Sequence, residues 1–138
     1  MNKESIESYL LRMEAEFEEL DAGMWVLRTD QGLRIVAHLS PPVLLLRSAV
    51  LPVPSEEGEA ARLFRRLLEL NASDLVSGAY GLDDDEVILT DALDLETLDF
   101  DRFQAAVESM QMALASHHEA LAPFRPERAA AQTEGESR

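Results

Sequence analysis

With 138 residues, 27 of them acidic and 12 basic, the chain is the length of one domain with one core and carries a formal charge of −15. Such a field repels polyanions, which argues against direct nucleic-acid binding and for encounter with basic partners. The absence of cysteine excludes disulfides, thiolate catalysis and Cys-based metal sites, and 46% apolar with 28% charged residues is a composition that folds.

The opening Met-Asn-Lys-Glu-Ser-Ile-Glu has no basic stretch leading into an apolar one, and no apolar run approaches the roughly 18 residues a spanning helix needs. The expected setting is cytoplasmic, with no membrane partner. From 3 to 20, Ile6, Leu10, Met13, Phe17 and Leu20 recur at spacings of four and three among glutamates, which predicts one amphipathic helix. Asp21 to Gly23 breaks that period. Residues 24–29 then read as a strand, Asp30-Gln31-Gly32 as a hairpin turn, and 33–40 as a second strand, with Leu33, Ile35, Ala37 and Leu39 on one face.

Pro41-Pro42 marks a turn before a third strand over 43–51, apolar on both faces. Alternation puts Leu44, Leu46, Ser48 and Val50 on one face and Val43, Leu45, Arg47, Ala49 and Leu51 on the other. Arginine reaches solvent more readily than a core can hold it, so the face of Arg47 is expected to look outward and the face of Leu44 inward. The outward set is a candidate protein-interaction surface.

Ser55 reads as the N-cap of a helix ending near Asn71, with Ala60, Leu63, Phe64, Leu67 and Leu68 as its buried stripe. Arg62, Arg65 and Arg66 lie on its opposite side. They form the compact basic group of the chain, able either to solvate that face beside Glu59 and Glu69 or to grip a partner's carboxylate. Gly78 to Leu82 and Glu86 to Thr90 flank the acidic tip Asp83-Asp84-Asp85 and predict a second hairpin. Thr97 or Asp99 caps a last helix with the stripe Phe103, Val107, Met110, Leu114 and Leu121, ending before Pro123. The order is α-β-β-β-α-β-β-α, an α+β domain over 1–122 whose antiparallel sheet is covered by helices. Residues 123–138, without an apolar anchor beyond Phe124, are expected to be a disordered tail.

Chemistry-bearing patterns are weak. Asp83 to Glu86 lacks the alternating ligands, the glycine and the terminal glutamate of a calcium loop, so a solvated turn is expected. His117 and His118 are neighbours and point about 100° apart on a helix, which prevents shared metal binding; both, with His38, read as surface or helix-end residues. Gly78 and Gly81 lack the lysine and helix start of a phosphate loop. No catalytic residue, metal or cofactor is assigned.

Three stretches together resemble a known family: Leu67-Leu-Glu-Leu-Asn71, then Gly78-Ala-Tyr-Gly-Leu-Asp-Asp-Asp-Glu-Val-Ile-Leu89, then Leu95-Glu-Thr-Leu-Asp99 before a long helix. This succession is similar to the bacterial YbjN family and the related type III secretion chaperones of the CesT kind. The resemblance implies a type III secretion chaperone-like fold and a non-enzymatic homodimer that holds an extended segment of a client protein. The alternative it implies is a YbjN-type regulator, in sensory transduction or stress response, acting through protein contacts. With the acidic field, it makes the expected client basic, one that could itself bind nucleic acid. The interaction candidates are Val43, Leu45, Arg47, Ala49, Leu51, Arg62, Arg65 and Arg66.

Overall fold

The computed structural model describes residues 2–30, 32–75 and 77–126. These form an antiparallel six-stranded sheet in the order β1 (Glu16–Asp21), β2 (Met24–Arg28), β3 (Arg34–Ser40), β4 (Val43–Pro52), β6 (Glu86–Asp94), β5 (Ala79–Asp83), with helices packed on one face. The α+β class and the one-sided covering agree with the sequence pattern.

The N-terminal segment departs from it. Helix α1 spans Lys3–Arg12, and the residues expected to continue it instead form β1, Glu16–Asp21. Glu14, at φ 57°, turns the chain out of the helix, and Glu16 to Glu18 also satisfies the twofold period of a strand, with half-buried Phe17 between two exposed glutamates. Pairing with β2 (Met24–Arg28) satisfies backbone groups that an exposed helix would satisfy alone, and so the ambiguous period resolves as strand. Leu20, a core position on the helical reading, is 48% exposed. The element order therefore gains a strand, and a short fourth helix follows the third: α-β-β-β-β-α-β-β-α-α.

Strand β3 is Arg34–Ser40 and β4 is Val43–Pro52, the central strand, paired with β3 on one side and β6 (Glu86–Asp94) on the other. Leu44 and Leu46 are fully buried and Ser48 nearly so, its hydroxyl donating to the Arg34 carbonyl at 2.8 Å. A bulge between Ala49 and Leu51 then reverses the alternation. Leu51, expected on the outward face, is 3% exposed in the core, and Val50, expected inward, is only half-buried.

Helix α2, Glu57–Ser73, is capped by Glu56 and not by Ser55: the Glu56 carboxylate accepts from the backbone N–H of Gly58 at 2.9 Å and of Glu59 at 2.7 Å. Those two bonds, Gly58 first, hold its carboxyl below the usual range. It buries Leu63, Leu67 and Leu70 and leaves Leu68 68% exposed, although the periodicity placed Leu68 in the stripe. Strand β5 is Ala79–Asp83. Helix α3, Phe100–Ser116, starts at Asp99, which accepts from the Arg102 N–H at 2.8 Å, and a short helix α4, His118–Leu121, follows. Tyr9 of α1 lies 5.8 Å from Phe103 of α3, ring centre to ring centre, so these helices share one cluster over Trp25, Leu27 and Ile35.

Of the expected tail over 123–138, Pro123 and Phe124 complete a 3-10 turn that begins at Ala122, and Arg125 Nη1 donates to the Val50 carbonyl at 3.2 Å; 127–138 lie outside the described residues.

Gly78 tests the seating of the second hairpin. Its φ is +80°, and an added Cβ would stand 2.5 Å from the Thr90 carbonyl oxygen, a backbone atom that cannot rotate away. Gly78→Ala is expected to destabilise the fold by about 2 kcal/mol, read as a lower urea midpoint with an unchanged slope; an unaltered midpoint would contradict this seating.

Candidate interaction surface

Two surfaces carry apolar side chains that no other element among the described residues covers. The first is the outer face of the sheet. Cross-strand register assembles it in rows: Val26, Val36, Arg47 and Thr90; then Met24, His38, Leu45 and Ala92; then Ser40, Val43 and Asp94; with the pairs Arg28–Arg34 and Ala49–Ile88 beyond the first row. Val26 is covered to 5% exposure by its neighbours, Leu45 is 38% exposed, and Val36, Val43 and Ile88 are half-buried. A depression of about 570 Å³ opens among Val36, Ala49 and Ile88, walled by Arg34 and Arg47 on one side and by Asp83 and Glu86 on the other. Arg47 pairs with Asp83 across it.

Four of the strand candidates, Val43, Leu45, Arg47 and Ala49, thus share this face. Leu51 does not, because of the bulge. Sequence alternation pointed to β4 alone; Val36, Ile88, Ala92, Arg28 and Arg34 join it only through strand pairing, which local sequence does not specify.

The second surface is the outside of α2, where Ala61, Phe64, Leu68 and Ala72 line a shallow apolar groove between Arg62, Arg65 and Glu69. Of the three arginines proposed from sequence, Arg62 and Arg65 line it and Arg66 lies outside it on the same helix. Arg62 pairs with Glu59, Arg65 Nε stands 3.8 Å from Glu69, and Arg66 Nη1 stands 3.5 Å from Glu69. Each neutralises its own helix, and exposed pairs of this kind contribute little stability.

A buried polar cluster stands apart from both. Asn71, near the end of α2, donates through Nδ2 to the Tyr80 carbonyl at 3.2 Å and accepts from the Tyr80 N–H at 2.8 Å. One side-chain amide thereby occupies outward backbone groups of β5, an edge strand, where a pairing strand would bind. The Tyr80 hydroxyl lies 2.7 Å from His117 Nδ1, joining β5 to the junction of α3 and α4. His117, expected on the surface, is a helix-end residue but only 3% exposed, whereas His118 is exposed and His38 half-buried. The periodicity gave no signal of this pair, since tyrosine and histidine carry no spacing rule across 37 residues. The acidic tip is the turn between β5 and β6, with Asp84 at φ 51° and the Asp85 carbonyl accepting from Val53 N–H at 2.7 Å. No helix among the described residues is long and apolar enough to cross a membrane.

Burial pushes the Tyr80 phenol from 10.0 up to about 12, with the charge of Arg125 opposing the shift. The neutral phenol is thus favoured by folding: its contribution is complete below pH 10.0 and is lost as the pH rises from there through about 12. Tyr80→Phe should flatten this alkaline limb while costing about 1 kcal/mol at neutral pH through the lost bond to His117. Denaturation midpoints of both proteins across that window would show it, and parallel declines would count against it.

Comparison with known proteins gives this arrangement a context. The family model CesT_Tir_1 matches residues 1–127. No curated protein matches the sequence. Among solved structures, a chain of the heterodimeric ExoU–SpcU complex from the type III secretion system of Pseudomonas aeruginosa is similar with a TM-score of 0.63 at 20% identity, over 88% of this chain and 98% of that one. YbjN from E. coli, described as a putative transcription regulator, is similar with a TM-score of 0.64 at 14% identity, over 87% of this chain and 93% of that one. At such identities these two share the fold.

Proposed function

The chain belongs to the CesT_Tir_1 family, and from that premise we propose that it is a non-enzymatic, chaperone-like adaptor that dimerises and holds an extended segment of a client protein. The observation that carries this reading is the uncovered sheet face, where Val36, Val43, Leu45, Ile88 and Ala92 form a broad apolar surface that an isolated monomer would leave to water. A client segment lying on that face would remove the surface from water and be kept from collapsing on itself. The ExoU–SpcU structure is titled a heterodimeric complex of two proteins, in keeping with a partner-binding role for the fold.

The outer face of α2 suits the dimer contact. A two-fold axis pairs a surface with its own copy, and antiparallel α2 helices would lay Phe64 and Leu68 against one another while bringing Arg62 and Arg65 towards Glu69 of the second copy. Dimer and client then use different surfaces and can be separated by mutation.

Sedimentation equilibrium at micromolar concentration should return about twice the chain mass of 15.4 kDa, and Leu68→Glu should return the chain mass with a native circular dichroism spectrum. A monomer throughout that range would defeat the dimer. On the other surface, Leu45→Asp should leave the fold intact, because the new carboxylate meets water, and should cut recovery of the client with the tagged protein from its native cells by more than about tenfold. Leu46→Asp, on the same strand but buried, should instead lose the cooperative unfolding transition, since an unpaired charge in the core costs several kcal/mol. Unfolding by Leu45→Asp, or full client recovery with it, would refute the use of this face.

A further inference from the structure

Resting on the open sheet face as the binding surface, we propose that the segment it holds is acidic at one end: an extended stretch that sets a carboxylate against Arg28 and Arg34 and lays apolar side chains over Ala49, Ile88 and Leu45.

Arg28 and Arg34 stand directly opposite each other on β2 and β3. Like charges in that position destabilise a sheet. Acids outnumber bases in this chain by more than two to one, and Arg47, Arg62, Arg65 and Arg66 each stand within 4.0 Å of a carboxylate. Among the described residues, Arg28 and Arg34 have no ion pair and no side-chain hydrogen bond. Glu16 pairs with Arg28 in the β1–β2 register, yet its carboxylate forms no salt bridge with it. Arg34 lines the depression, and Arg28, opposite it in the β2–β3 register, lines a smaller one beside Glu16 and Glu18; a single carboxylate set between the two guanidinium groups would relieve their mutual repulsion.

The same depression gives the segment a direction. Its far wall carries Asp83 and Glu86, with Asp83 engaged by Arg47, so a carboxylate there would meet two others. The acidic end therefore belongs over β2 and β3, and the apolar positions run towards β6. The chain-wide charge of −15 argues for a basic client. It acts at long range, however, and is screened over about 8 Å at physiological salt, whereas the two arginines act at contact. Encounter and selection at the face thus follow different charges.

The test uses three fluorescein-labelled ten-residue peptides of alternating Leu and Thr, beginning with Asp-Glu, with Asn-Gln or with Lys-Lys, titrated by anisotropy against the full chain. The acidic peptide should bind about tenfold tighter than the neutral one, and the basic one should bind weakest. In Arg28→Gln/Arg34→Gln, with native circular dichroism, the acidic peptide should fall to the affinity of the neutral one. Equal binding of acidic and neutral peptides, or tighter binding of the basic one, overturns the proposal while a loss of all binding in Leu45→Asp still upholds the face. If no peptide binds, or if Leu45→Asp binds all three as the wild type does, the open face itself fails as the site and this proposal with it.

Discussion

The fold depends on covering a six-stranded sheet from one side. The described helices bury Leu44, Leu46, Leu89 and Trp25, and that single layer closes the core. Among the described residues, the helices pack on that first face and leave the reverse side open. An antiparallel sheet commonly resolves this by making its outer face polar. Here the outer face keeps Val36, Val43, Leu45, Ile88 and Ala92 in adjacent rows, interrupted by Arg28, Arg34, Arg47 and His38 and by Thr90, Ser40 and Asp94. Such a face, apolar but crossed and edged by charge, is suited to reversible occupation.

The edges of the sheet are treated in the opposite way. Strand β1 places Glu16, Glu18, Glu19 and Asp21 among its six residues, so a second copy would meet like charges along that edge. At the other edge, Asn71 takes both the N–H and the carbonyl of Tyr80. Both edges resist strand addition by another copy, while the flat face stays open. The contrast favours docking on the face over extension of the sheet, and it gives the Leu70-Asn71 pair a physical purpose: leucine anchors the helix end in the core and asparagine closes the strand beside it.

Much of this was legible in the sequence wherever one period dominated. The alternation in β4 placed Leu44 and Leu46 inward and Leu45 and Arg47 outward, and one of the two candidate caps, Asp99, starts α3. Three features escaped for identifiable reasons. Phe17 satisfies a helical and a strand period at once, and only pairing with β2 decides between them. The bulge that turns Leu51 inward comes from mismatch with β6 and leaves no mark in β4 itself. The meeting of Arg28 with Arg34 depends on hairpin register, so a count of charges along the chain saw an acidic protein and missed a basic corner.

The placement of the two uncovered surfaces bears on how an assembly would work. Leu63, Leu67 and Leu70 fix the inner side of α2 against the sheet, so Ala61, Phe64 and Leu68 point away from it, on the side opposite the open face. If α2 meets its copy, the two sheets stand back to back across the helices, with both open faces directed outward. Neither site is then occluded by dimerisation, and occupation of one does not bury the other. A client segment long enough to pass around the dimer could engage both faces at once, and the second contact would form at the effective concentration set by the first. Weak individual contacts, of the kind a shallow and partly charged face can make, would then suffice for firm holding, while release would need only the successive loss of each.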